Sequence, residues 1–327
     1  MLAAKPTRLA LVMSALALSL APACGGGDDD GASCDPSMGD GATRVGTFEI
    51  ELVPPSSGTP GRTTVVGVVY DGASPENVIW ETAMMSGDCK LLTPRVPFCA
   101  TPCGSGAACI EDDTCAPYPT KQAVGTVHVA GLALTAGGTG GGFDMTPISN
   151  SYSPPGSVMI AYPGFAEGDD VSIETSDADF ACAFAVDARG IPPLAVTTSQ
   201  PALAQATALD LAWTAPVDAA AATVDIKLDI SHHGGTKGKI ECTTTDDGQL
   251  TIASVLVDGL LALGAAGYPT IVFSREAVGS TVISAGRVDL ALRSQVEMPI
   301  VVPGVTSCTE TSECPKGQIC RDDLTCG

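Results

Sequence analysis

Alternation of hydrophobic and polar residues recurs along the chain and predicts half-buried β-strands. Phe48, Ile50 and Leu52 alternate with Glu49 and Glu51. The same period of two recurs over residues 224–230 and 288–292. Further strand-like runs cover residues 62–70, 123–129, 157–162, 179–186, 209–214, 239–243 and 269–275. Clusters of Gly, Pro, Ser and Asp separate these runs and predict turns.

Only one segment, Ser254 to Gly264, has apolar residues near helical spacing. One short helix among many strands predicts an all-β fold. Because one face of each strand is polar and strands do not alternate with helices, we expect an antiparallel β-sandwich body, Ig-like or fibronectin-like, rather than a parallel α/β sheet. This pattern excludes a doubly wound nucleotide-binding fold.

The first 23 residues have the pattern of a secretory signal peptide. Lys5 and Arg8 precede the apolar stretch Leu9 to Leu20, and Ala21-Pro22-Ala23-Cys24 follows it. A helix of these 12 residues is too short to cross a hydrocarbon layer of about 30 Å. We therefore predict that residues 1–23 are removed and that the rest of the chain is exported.

Cys24 at the cleavage point resembles the lipidated cysteine of a bacterial lipobox. Ala21-Pro22-Ala23 would also serve an ordinary A-x-A signal peptidase, which leaves a soluble secreted protein as the alternative. Lipidation of Cys24 leaves 12 of the 13 cysteines, an even number that can pair completely. We expect a lipid-anchored flexible tether over residues 24–43, which attaches the protein to a membrane through its acyl chains.

The body after the tether divides into three predicted regions. These are an N-terminal β region at 44–135 with a Cys-rich insertion at 99–115, a C-terminal β-sandwich at 143–303 and a Cys-rich module at 304–327. The Gly-rich run at 136–142 suggests a joint between the first two regions. Strands of the first region could instead pair with strands of the second, which would give one larger β body.

Two cysteine modules repeat the spacing C-x5-C-x5-C. Cys103, Cys109 and Cys115 match Cys314, Cys320 and Cys326, and each copy has a fourth cysteine upstream, Cys99 or Cys308. Segments this short need cross-links to fold, so we predict two disulfides in each module, with three connectivities open for each. Zinc is disfavoured because C-x2-C pairs and added histidines are missing, so we expect no metal site.

The remaining cysteines are predicted to form disulfides in the body. Cys182 and Cys242 each fall on the apolar side of a strand-like run, which favours a buried bridge between them. That pairing leaves Cys34 and Cys89 for each other.

The module pattern, Cys308-x5-Cys314-Pro-x-Gly317-x2-Cys320, resembles the short cysteine-rich motifs of Dickkopf-like and EGF-like extracellular modules. With the lipobox and the β body, the layout resembles the uncharacterised cysteine-rich surface lipoproteins of myxobacteria. This resemblance implies an outer-membrane or cell-surface location and implies no activity.

Charge and the scarcity of catalytic motifs restrict the function further. A formal net charge of −21 and a pI near 4.2 repel phosphate backbones, which argues against a nucleic-acid partner. The chain has three histidines, His128, His232 and His233, and lacks the H-E-x-x-H, G-x-S-x-G and P-loop motifs. The run Asp246-Asp247-Gly248 is typical of a β-turn. No residue is therefore assigned a catalytic role, and no cofactor is expected.

The sequence thus predicts a non-catalytic surface lipoprotein that presents its β body and disulfide modules to a protein or an envelope polysaccharide. A carbohydrate-binding protein is the alternative, with Trp80, Tyr152, Tyr162 and Tyr268 as a stacking platform, although core packing is the usual role of strand aromatics. An extracellular hydrolase whose residues meet only in the folded chain is a third hypothesis.

Overall fold

A computed structural model describes residues 41–56, 58–135 and 142–327. Within these ranges the chain forms β-strands, one α-helix, α1 (Ser254–Ala262), and a 3-10 turn (Thr311–Glu313). The strands are β1 (Arg44–Val53), β2 (Arg62–Tyr70), β3 (Ile79–Ser86), β4 (Cys89–Arg95), β5 (Ala107–Glu111), β6 (Thr114–Pro117), β7 (Lys121–Gln122), β8 (Val127–Ala130), β9 (Phe143–Met145), β10 (Ser151–Tyr152), β11 (Asp170–Thr175), β12 (Ala185–Arg189), β13 (Leu209–Ala212), β14 (Thr223–Asp229), β15 (Lys239–Thr245), β16 (Gln249–Ile252), β17 (Thr270–Ile283) and β18 (Gly286–Pro299). The predicted all-β fold with one short helix is confirmed.

A ten-stranded sheet runs through the whole body. Its order is β10-β2-β1-β18-β17-β14-β15-β4-β3, and β7 pairs with β2 beside β10. This sheet contains strands from both predicted regions. The strands β2 and β1, and farther along β4 and β3, come from residues 44–135, and the block β18-β17-β14-β15 between them comes from residues 143–303. The sequence had left such a shared sheet open as the alternative. The proposed joint at 136–142 lies outside the described residues except for Gly142.

One pair in the large sheet departs from the expected antiparallel pattern. β1 and β18 run parallel, with Phe48 opposite Leu290 and Ile50 opposite Leu292. Each of these strands belongs to an antiparallel pair of its own, β1 with β2 and β17 with β18. Because the two pairs are far apart in sequence, no tight turn fixes their relative direction, and a parallel contact between them is allowed.

A second sheet of four strands, β12-β11-β8-β9, packs over β1, β2 and β18. The alternation in β1 decides which residues enter this first core. Phe48, Ile50 and Leu52 are fully buried, whereas Glu49 and Glu51 point to the opposite face. Gly67 on β2 is required here, because a Cβ at this position would lie 2.3 Å from the ring of Phe48.

A second core lies farther along the same face of the large sheet. There β4, β14 and β15 are covered by the pair β13–β16 and by α1, which buries Leu256, Val257 and Leu260. Trp213 packs edge-on against Phe273 in this core, with ring centroids 6.3 Å apart. The two cores make the large sheet a platform with one covered face.

A fully buried ion pair lies on the same covered face. Arg275 on β17 donates from Nε to Oδ2 of Asp246 at 2.5 Å and from Nη2 to Oδ1 at 3.0 Å. Trp213 Nε1 donates to the same Oδ1 at 2.7 Å. The remaining guanidinium hydrogens reach the carbonyls of Thr214 and Pro192–Pro193. Asp246 does lie between β15 and β16, as the turn prediction requires, but its carboxylate is buried rather than exposed.

Some predicted strands are shorter or missing. The run 157–162 contributes only an isolated bridge at Ile160, and strand β12 begins at Ala185 rather than at 179. Conversely, the hairpin β3–β4 was not predicted from the sequence. Among the described residues, no helix is long and apolar enough to cross a membrane.

Candidate functional site

The candidate site is a cleft of about 510 Å3 on the open face of the ten-stranded sheet, opposite the two cores. Strand register brings four hydrogen-bonding residues into one line across the strands. We call this line the central row, and it consists of Gln295, Ser274, Asp225 and Thr243. Because neighbouring strands lie about 4.8 Å apart, the central row extends over roughly 14 Å.

Charged side chains line both sides of the central row. Arg293 and Glu276 pair on one side, with Nη2 of the arginine 3.0 Å from Oε1 of the glutamate. On the other side Lys227 and Lys90 lie opposite Glu241 on neighbouring strands. Three cations therefore face four carboxylates when Asp88 and Asp225 are included. The cleft is close to neutral in a chain whose net charge is −21.

Two buried polar atoms of the cleft have no hydrogen-bond partner. They are Oγ of Ser274 and Nε of Arg293. Among the described residues, no other buried side-chain nitrogen or oxygen lacks a hydrogen-bond partner. Buried polar groups are nearly always satisfied, so each exception calls for a water, an ion or a ligand. Both exceptions lie on β17 and β18, at one end of the cleft.

Arg293 also holds a cluster of carboxylates at the edge of the cleft. Its Nη1 lies 3.2 Å from Oε2 of Glu49, and Glu51 on β1 lies directly opposite Arg293 in the strand pairing. Burial and the nearby Glu49 raise the pKa of Glu51, while Arg293 acts against them. Glu276 and Glu49 raise the pKa of Arg293 despite the opposing effect of burial. Arg293 is thus fixed as a cation at the wall of the cleft.

A second depression continues from the cleft past Lys90 and Glu241 toward Trp80 on the edge strand β3. Trp80 belongs to neither core, but its ring is covered by the ammonium of Lys239, 3.9 Å from the ring centroid. Lys239 is held there by Glu241, whose Oε1 lies 2.6 Å from Nζ. One face of the indole is therefore occupied by the protein itself.

The structure does not assemble the predicted aromatic platform. Tyr152 is buried in the first core, where its hydroxyl accepts a hydrogen bond from Val124 N and donates to Gly125 O. Burial raises the pKa of Tyr152. Tyr162 packs against the same core, and Tyr268 donates its backbone N–H to the carbonyl of His232. These aromatic residues lie in separate places, so a shared stacking surface with Trp80 is not formed.

The histidines lie outside the cleft. His128 is a partly exposed residue of β8, and its Nδ1 lies 2.7 Å from Asp144 Oδ1. His232 and His233 lie in the loop between β14 and β15, and their rings are in contact, tilted by 51° with centroids 3.9 Å apart. His232 has one carboxylate nearby, that of Glu297 at 4.0 Å.

The disulfide framework differs from the expected one in the body. Cys89 on β4 is bonded to Cys242 on the neighbouring strand β15, so the expected bridges Cys182–Cys242 and Cys34–Cys89 are both wrong. Cys182 is also disulfide-bonded, and it does not lie on a strand. Cys24 and Cys34 lie outside the described residues. The expectation failed because Cys89 is on the hairpin that the sequence pattern did not reveal.

Both small modules use the same connectivity, first to third and second to fourth cysteine. The bonds are Cys99–Cys109 and Cys103–Cys115 in one module, and Cys308–Cys320 and Cys314–Cys326 in the other. Sulfur atoms converge in each module, but disulfide bonding leaves no thiolate there to bind a metal.

The C-terminal module is docked on the body. Gly267 N donates to Asp323 O at 2.7 Å, and Ser307 Oγ donates to Gly267 O at 2.5 Å. Cys308 is buried at 1% exposure. The hydrogen bonds from Thr325 lower the pKa of Asp323, so this carboxylate stays charged at the base of the module. The first module is linked to β4 through Arg95, whose Nη1 lies 3.1 Å from Asp112.

Comparisons with known proteins add little to this description. No family model matches the chain, and no curated protein matches it. A solved structure of the FN1–FN3 domains of chicken CNTN1 aligns with 75% of this chain and 71% of that chain, at 8% identity and a TM-score of 0.18. A TM-score at this level carries no argument, so the fold assignment rests on the strands and their pairing.

Sequence analysis did not identify the cleft. Gln295, Ser274 and Thr243 are ordinary polar residues on the solvent side of alternating strands. Only the register of β18, β17, β14 and β15 brings them into line. The alternation itself was visible in the sequence, but the order of the strands was not.

Proposed function

We propose that this protein is an exported, non-catalytic binding protein, anchored to the outer membrane or cell surface through acyl groups on Cys24. It presents a rigid β body and two disulfide modules to a protein or an envelope polysaccharide. The disulfides support the exported part of this proposal, because cross-links of this number persist only in oxidising compartments.

The observation that carries the binding part is the cleft on the open face. The cleft presents the amide of Gln295 and the ammonium of Lys227, which make no hydrogen bond or ion pair with the described residues. The surrounding framework is cross-linked through Cys89–Cys242, next to the cleft. A rigid surface loses little entropy when a partner binds.

A hydrolase is the less favoured function. The hydrolase hypothesis requires a pocket that brings His232 or His233 together with two carboxylates for acid–base chemistry. His232 and His233 do not line the cleft, and the carboxylate near them is that of Glu297. The cleft instead offers hydroxyl, amide, ammonium and carboxylate groups, which suit hydrogen bonding to a ligand.

The proposal is tested by binding of the acyl-free chain, residues 25–327, to intact cells of the producing bacterium that lack their own copy. We expect saturable binding of the fluorescently labelled chain, competed by an excess of unlabelled chain. The matched control is the same chain reduced and alkylated, which should lose most of the binding. A signal that rises linearly and resists competition would contradict a specific binding function.

A further inference from the structure

The shape and chemistry of the cleft indicate the class of its ligand. The lining is polar, and Val272 is an apolar side chain that contributes to it. Protein partners bind most strongly through aromatic or aliphatic anchors in desolvated pockets, and this surface offers no such pocket along the central row. A ligand here must therefore bind through many hydrogen bonds.

The charges of the cleft exclude strongly ionic polymers. Three cations and four carboxylates are interleaved, so a polyanion would meet the carboxylates and a polycation would meet Arg293, Lys90 and Lys227. A neutral ligand with many groups that both donate and accept hydrogen bonds is complementary to both kinds of side chain. Hydroxyl groups have this property.

Two side chains facing the cleft have hydrogen-bonding groups to spare. The amide of Gln295 and the ammonium of Lys227 make no hydrogen bond or ion pair with the described residues. Thr243, in contrast, donates to Asp225 at 2.5 Å and so orients the next carboxylate of the row. The free groups lie on β18 and β14, the strands on either side of β17.

The spacing of the central row fits an extended chain. One side chain from each strand is presented at intervals of about 4.8 Å, which is close to the length of one sugar residue in an extended glycan. A volume of about 510 Å3 lies within the range of roughly 300–1,000 Å3 typical of ligand sites.

We propose that the central row binds a neutral, extended polysaccharide segment lying across β18, β17, β14 and β15. Successive sugar residues place hydroxyls against the Gln295 amide, the Asp225 carboxylate and the Lys227 ammonium. This inference rests on the proposed binding function and names the class of ligand for it.

The test uses the same binding assay on intact cells, with two pretreatments of the cells. Mild periodate oxidation cleaves the vicinal diols of sugars, and a protease removes surface proteins. We expect periodate to abolish the saturable binding and the protease to leave it. The double variant Lys227→Ala/Gln295→Ala should bind about tenfold more weakly, since it removes two free hydrogen-bonding groups of the cleft.

The matched control is Thr64→Val, on the same face of the sheet but on β2, outside the cleft. This variant should bind like the parent chain, and thermal unfolding should show that all three chains are folded alike. Binding that survives periodate but is lost after protease treatment would overturn the glycan assignment while the binding function stands. Equal binding by the double variant would also overturn it. Failure of the parent chain to bind untreated cells would remove the proposed function and this inference with it.

Discussion

Replacing Asp246 with alanine is expected to lower the free energy of unfolding by about 3–5 kcal/mol. The carboxylate accepts two hydrogen bonds from Arg275 and one from Trp213, and both charged side chains are at most 1% exposed. The alanine would leave the guanidinium buried without its counter-charge. Chemical denaturation followed by tryptophan fluorescence measures the loss, because Trp213 reports directly on this site.

Asp247 provides the matched control, because it is the next residue and is exposed. Asp247→Ala should change stability by no more than about 0.5 kcal/mol. Joint replacement of Arg275 by methionine and Asp246 by leucine should recover part of the loss, since no unpaired charge remains. A loss below about 1 kcal/mol for Asp246→Ala would show that the ion pair is not buried as described.

Removing the Cys89–Cys242 bridge by a double change to alanine is expected to cost about 4 kcal/mol of stability. The bridge joins residues separated by 153 positions, so it restricts a large part of the unfolded chain. It also joins β4 to β15 beneath the cleft. The measurement is again the free energy of unfolding in denaturant, under non-reducing conditions.

The corresponding control removes Cys99–Cys109, which closes a separation of only 10 residues within the first module. We expect this change to alter the main unfolding transition of the body much less. Its shorter loop restricts less of the unfolded chain, and the module contributes no residue to either core. Equal losses for the two double variants would contradict the role assigned to Cys89–Cys242.

Periodicity predicted the strands whose two faces differ. β1 and β14 have one face in a core and the other at least partly exposed, so their hydrophobic alternation is strict, whereas β18 is buried on both faces around Leu290. β3 shows no such pattern, because it lies at the edge of the sheet and its register shifts between Thr82 and Met84. An edge strand with a bulge has no constant buried face, and local sequence therefore does not reveal it.

Long-range pairing was the other feature that the sequence could not supply. Cys182 sits beside two phenylalanines that pack on the first core, whereas Cys242 faces the second core. Their similar apolar surroundings suggested a bond, but the two residues belong to different parts of the covered face. The buried role of Asp246 was hidden for a related reason, because an Asp-Asp-Gly turn looks the same in sequence whether or not an arginine from β17 reaches it.

The module disulfides illustrate what spacing can and cannot decide. Repetition of C-x5-C-x5-C identified both modules and their need for cross-links. Three connectivities were compatible with that spacing, and only the folded hairpin, in which Cys109 lies opposite Cys115 rather than bonded to it, selects one. The position of the cleft likewise follows from the order of the strands in the sheet, which the spacing of residues in the sequence does not give.

The central claim is that the protein is displayed on the cell surface through an anchor at Cys24. The most direct measurement treats intact producing cells with a membrane-impermeant protease and follows the full-length band, with lysed cells as the control and a Cys24→Ser variant alongside. The proposal predicts that the band disappears on intact cells and that the Cys24→Ser chain is found in the soluble fraction instead of the membrane. Protection of the parent chain until lysis would contradict surface display and place its partners inside the envelope.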